Sequence, residues 1–249
     1  MEIADHITSL TVEGQLLAAA AQEAGTAAPV PTCPGWQVRD LLRHTGTVHR
    51  WATAFVVEGH TAYHPDGGEP DLDGPDLLAW FREGHRLLAD ALTAAPAGLE
   101  CWTFLPAPSP SAFWARRQAH ETRIHRVDAE SARGGQPSPV AADHAVDGID
   151  ELLLGFHARP KSKVRTDTPC SLRIRATDTD AIWTVRLSPE PPQAVREDVT
   201  PHPGFADCEL SATAEHLYLT LWNRLPLTAI ALTGDPGPAR LWCENSQVI

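Results

Sequence analysis

The chain has 249 residues, 43% hydrophobic and 21% charged, and its 32 acidic against 20 basic residues leave a formal net charge of −12. That length suffices for one large domain or two modest ones, with a core that needs no disulfide staples. The negative balance, with no basic stripe to offset it, argues against nucleic acid as a partner, and no apolar run is long enough to span a bilayer or charged suitably to lie on an anionic one.

The opening residues MEIADHITSLTVEG contain neither a positive n-region nor an apolar h-region, so a cytoplasmic protein is expected. Cys33, Cys101, Cys170, Cys208 and Cys243 are odd in number and never form C-x-x-C. They predict neither a disulfide framework nor a structural zinc finger.

Apolar residues at helical spacing predict a first helix over Ile3 to Ala24, ended by the Gly25 to Gly35 loop. A second helix is predicted to open near Trp36, carrying Leu41, Leu42, Val48, Trp51 and Phe55 before a Gly/Pro-rich run from Gly59 to Pro75. A third fits Asp76 to Ala94. A fourth runs from Ser111, read as its N-cap, to about Ala132, and a fifth from about Ala141 to Phe156. The basic stretch His157 to Pro169 reads as a linker. Alternating segments at Ser171 to Ala176 and Ala181 to Leu187, separated by Asp178-Thr-Asp, predict an antiparallel hairpin. A strand at Ala206 to Ala212, a helix from Glu215 to Arg224, a strand at Thr228 to Leu232 and a closing helix after Gly234 complete the reading. The expected architecture is α+β in two domains: a helical bundle over residues 1–157 and a small mixed α/β domain over 158–249.

The fourth helix places Glu121 and His125 four residues apart, hence side by side on one face, with Trp114, Gln118 and Asp128 extending it. A carboxylate and an imidazole so arranged suit a borderline-soft divalent ion. His44, which interrupts an apolar stripe on the second helix, is the expected third ligand if the two helices are neighbours. Two histidines and a carboxylate with an open position are the donor set of catalytic rather than structural zinc. A hydrogen-bonded helix pair and a satisfied core histidine are the competing readings. His49, His85 and His120 are alternative ligands, although His49 and His120 fall off the chosen faces. Asp128 is either an orienter of His125 or a surface ion-pair partner. Cys33, between prolines, is expected to be structural, with Trp36 anchoring the next helix.

The block Pro31-Thr-Cys-Pro-Gly-Trp-Gln-Val-Arg-Asp-Leu-Leu-Arg-His44-Thr-Gly and the segment Phe113 to Glu130 resemble the mycothiol-dependent maleylpyruvate isomerase family, a branch of the DinB-like bundles. The likeness continues through Ala145-Val-Asp-Gly-Ile-Asp-Glu, Ala176-Thr-Asp-Thr-Asp-Ala-Ile-Trp and Leu217-Tyr-Leu-Thr-Leu-Trp-Asn-Arg224. It implies a DinB-like four-helix bundle followed by an α/β domain, with a divalent metal, zinc first, held at His44, Glu121 and His125. It also implies that Arg224 acts in catalysis by binding an anionic substrate group, although a helix-end arginine neutralising terminal carbonyls fits the residue equally.

The implied partners are mycothiol as thiol cosubstrate and a small electrophile. A metal-activated thiolate either adds to a C=C bond, allows rotation and leaves, which is cis–trans isomerisation, or stays attached, which is S-transfer. A metal-dependent hydrolase and a non-catalytic ligand- or metal-binding protein are the alternatives. Either a monomer or a small homo-oligomer is compatible with the sequence.

Overall fold

A computed structural model describes residues 1–197 and 206–247. Its elements run α1 (Ile3–Ala24), α2 (Val38–Glu58), α3 (Gly74–Ala94), α4 (Pro110–Arg133), α5 (Ala142–Asp150), a π-helical segment Glu151–Phe156, then β1 (Cys170–Ala176), β2 (Ile182–Leu187), β3 (Gln193–Glu197), β4 (Cys208–Ala212), α6 (Ala214–Leu221), β5 (Ala231–Gly234) and α7 (Gly237–Asn245). They form two compact units, Met1–Ser138 and Pro139–Ile249. The expected boundary at 157/158 differs from this division because α5 packs against α6 and so joins the second unit.

In the first unit α1 lies along α4, and α2 packs on both α3 and α4. Leu17, Leu41, Leu42, Leu77 and Phe81 are completely buried at its centre. α4 is the most enclosed helix although it carries many charges. Its buried Arg123 and Arg126 each donate through Nε, at 2.8 Å, to one oxygen of Glu13 on α1. Arg126 Nη1 also donates to Glu130 at 2.7 Å, and Glu130 in turn accepts from the Ser138 backbone N–H and hydroxyl. Paired this way, the charges are tolerated inside the bundle.

Helix starts follow local chemistry. Ser109, not the expected Ser111, caps α4: its Oγ accepts from Ala112 N at 3.2 Å and Pro110 occupies the first turn, where a missing N–H costs nothing. α2 starts at Val38 rather than Trp36, with the Gln37 N–H donating to Asp40 at 2.8 Å.

The second unit holds a five-stranded sheet of order β3-β2-β1-β4-β5, in which only β1 and β4 are parallel. Leu172 and Ile174 of β1, Trp183 and Val185 of β2, and Leu210 of β4 are buried, and α6 and α7 pack against β1 and β4. β3 is an edge strand that the sequence reading did not contain. The last strand begins at Ala231, three residues later than expected, because Leu227–Ala229 form a 3-10 turn. The expected fifth helix is α-helical only to Asp150 and then widens, with His157 N–H donating to Leu152 O. Among the described residues no helix is long and apolar enough to cross a membrane.

Candidate metal centre

Glu121 and His125 share one face of α4, as their helical spacing requires, and the packing of α2 on α4 brings His44 to them, so that two imidazole nitrogens and a carboxylate oxygen lie within 4.8 Å of one another. Glu121 Oε1 lies 3.4 Å from His44 Nε2 and 3.2 Å from His125 Nε2. Its other oxygen accepts from Arg117 Nη2 at 2.9 Å. Arg117 is one turn before Glu121 and buried, so α4 supplies its own counter-charge to the carboxylate.

His125 is oriented from behind. Its Nδ1 stands 2.9 Å from Asp128 Oδ2, and the other oxygen of Asp128 accepts from Thr32 Oγ1 at 2.6 Å. Asp128 is fully buried, so of its two expected roles the surface ion pair is ruled out. A carboxylate on Nδ1 keeps the proton there and leaves the Nε2 lone pair for a ligand. Thr32 belongs to the loop between α1 and α2, and nothing in the sequence signalled its bond to α4. Arg117 was legible, since it repeats the four-residue spacing that identified His125.

Burial by itself would raise the Glu121 carboxyl and lower the His125 imidazole, but their mutual contacts reverse both effects. Hydrogen bonds from His125 and His44, with the charges of His125 and Arg117, hold Glu121 well below the usual carboxylate range. Hydrogen bonds to Asp128 and Glu121 raise His125 to about 9. The ionised Glu121 carboxylate stands between two imidazoles, and two nitrogens with one oxygen suit a divalent ion such as zinc. The residues therefore fit the group.

Trp36 walls the site. Its ring meets His44 edge-on with centroids 5.3 Å apart and lies nearly parallel to His125 at 6.4 Å. Its role extends past the expected anchoring of α2.

The alternative histidines sit elsewhere. His49 is completely buried, with Nε2 2.8 Å from Thr122 Oγ1 and its ring beside Phe81 and His85; burial and the neighbouring His85 hold its pKa well below the ordinary value. His85 Nε2 bonds the Leu10 carbonyl at 2.9 Å, and His120 lies edge-on to His6. Arg224 is in the second unit just past α6, with Nη1 donating to the Trp222 carbonyl at 2.9 Å, the helix-end contact that its position allowed for.

Residues 8–130 match the mycothiol maleylpyruvate isomerase N-terminal domain, and residues 143–240 match the MDMPI C-terminal domain. The chain belongs to the mycothiol-dependent maleylpyruvate isomerase family, a family of enzymes. No curated protein matches it. Among solved structures it is similar to a mycothiol-dependent maleylpyruvate isomerase, with TM-score 0.63 and 12% identity over 94% of this chain and 93% of that one. A histidine-to-alanine mutant of such an isomerase gives TM-score 0.63 at 11% identity with the same coverage. At that identity the likeness is one of fold.

Proposed function

We propose that this protein is a metal-dependent enzyme that uses a small-molecule thiol, mycothiol, to isomerise an electrophilic C=C compound or to alkylate the thiol with it. The observation that carries the proposal is the convergence of His44 Nε2, Glu121 Oε1 and His125 Nε2 within 4.8 Å, in a chain of this family. A divalent ion held by these three residues, zinc by the chemistry of the donor set, would stabilise a thiol as its thiolate at neutral pH.

The chain's own residues do the rest. Asp128 keeps the proton of His125 on Nδ1, so that Nε2 faces the site. Arg117 holds the second oxygen of Glu121 and thereby fixes the direction of the first. Arg224 is proposed to bind an anionic group of the electrophile, an assignment that rests on its place in the family motif.

Elemental analysis of the purified protein beside a His125→Ala variant tests this, followed by titration of the metal-loaded form with thiol. The expected result is near-stoichiometric metal in the parent, loss of it in the variant, and turnover that requires added thiol. Two proteins equally free of metal after supplementation would refute the proposal, and turnover without thiol would point to hydrolysis instead.

A further inference from the structure

The two histidines of the site are held in unequal ways. His125 has Asp128 on its Nδ1 and a side chain only 9% accessible. His44 has a side chain 36% accessible, and its Nε2 meets Glu121 at 3.4 Å. Among the described residues no hydrogen bond holds its Nδ1. Metal-ligating histidines almost always donate that second N–H to an orienting partner, and ligands lacking one keep rotamer freedom that must be lost on binding.

What stands against the His44 ring is aromatic. The Trp36 edge contact at 5.3 Å is joined by the His125 ring, edge-on at 5.1 Å, so that His44 is packed by two rings. Edge-to-face contacts at such distances favour one relative orientation.

Trp36 itself is fixed by a built loop. Val30 N–H donates to Trp36 O, Trp36 N–H to Cys33 O, and Cys33 N–H to Val30 O, while Pro29 and Gln37 form an isolated antiparallel bridge. Gly35 takes φ +89°, a left-handed conformation that closes the turn just before Trp36. Thr32 ties the same loop to Asp128. One strap therefore carries both orienters: a hydroxyl that acts on His125 through Asp128, and an indole that acts on His44 directly.

We propose that Trp36 is a positioning residue of the metal centre, its ring fixing the orientation of the His44 imidazole from the strap that also orients His125 through Thr32 and Asp128. This inference rests on the metal reading given above.

The test uses the full chain and cobalt(II) alone, read by its visible absorption, with urea midpoints as the control for folding. Trp36→Leu is expected to bind cobalt(II) at least ~10-fold more weakly than the parent, the lower end of what loss of an outer orienter costs, with altered band shape. Trp36→Phe keeps a ring edge and is expected to retain most of the parent's affinity and its bands. Should Trp36→Leu fail to fold, Trp36→Met, flexible enough to fill irregular space, takes its place. A folded Leu or Met variant with the parent's affinity and spectrum would overturn the inference while leaving the metal site standing, as would a Phe variant that falls as far as Leu. A parent that does not bind cobalt(II) would overturn both.

Discussion

Replacing Asp128 by Asn alters the site at one atom and separates two opposing effects. The amide oxygen can still accept from Thr32 Oγ1, which leaves an NH2 facing His125 Nδ1. The imidazole must then accept at Nδ1 and carry its proton on Nε2, the atom that ligation requires bare. Losing this charge-assisted hydrogen bond costs about 1.5–3 kcal/mol, which corresponds to roughly a 10- to 150-fold fall in metal affinity. Working against it is proton competition. Asp128 helps to raise His125 to about 9 in the metal-free protein, so near neutrality a proton must leave before a metal enters. The variant relieves part of that competition. The affinity gap between parent and Asp128→Asn is therefore expected to be full at pH 9 and to narrow towards pH 6.5. Zinc competition titrations against a chromophoric chelator at several pH values measure it. Equal affinities at pH 9, or a gap that widens as pH falls, would refute the reasoning.

Other expectations concern the frame around the site. Glu13 serves two buried arginines at once, so Glu13→Gln should lower unfolding free energy by about 3–5 kcal/mol in urea, the usual cost of stranding a buried charge; a change below 1 kcal/mol would mean that water reaches these groups. A Cβ on Gly14 would fall 2.2 Å from the His85 ring, which its bond to Leu10 O keeps in place, so Gly14→Ala should destabilise by about 1–3 kcal/mol, checked by thermal and urea melts.

In the second unit, burial first and then the charge of Arg159 outweigh the Ser246 carbonyl and lower His157 to about 4. The neutral form belongs to the fold while the unfolded chain takes up a proton near 6.5, so stability is complete above pH 6.5 and falls as pH drops towards 4. The loss is about 3 kcal/mol over that window at 1.36 kcal/mol per unit. A His157→Gln variant with an undiminished pH slope in urea unfolding would contradict it.

Much of this molecule was legible along the chain because its determinants are local. A period near 3.6 marked the helices of the first unit, and helix geometry alone guarantees that Glu121 and His125 share a face, with Arg117 one turn before them. The misread boundaries are also physical. Pro110 in the first turn makes Ser109 the cap, and the wide turn ending in the His157 to Leu152 bond leaves no trace in an otherwise helical apolar stripe. β3 escaped notice because Gln193-Ala-Val-Arg-Glu is an exposed edge strand with one neighbour, so no buried face imposes alternation on it.

Residues a few positions apart set the helices, the hairpin and the shared face of Glu121 and His125 on α4, so each of these is written locally in the chain. Long-range packing places His44 against that pair, carries Thr32 to Asp128 across 96 residues, and sets β1 and β4 as a parallel pair flanked by the antiparallel β2 and β5. These are choices among helix faces and strand partners that look equivalent locally. They are made when the whole chain buries its apolar surface together, so no short stretch of residues carries them.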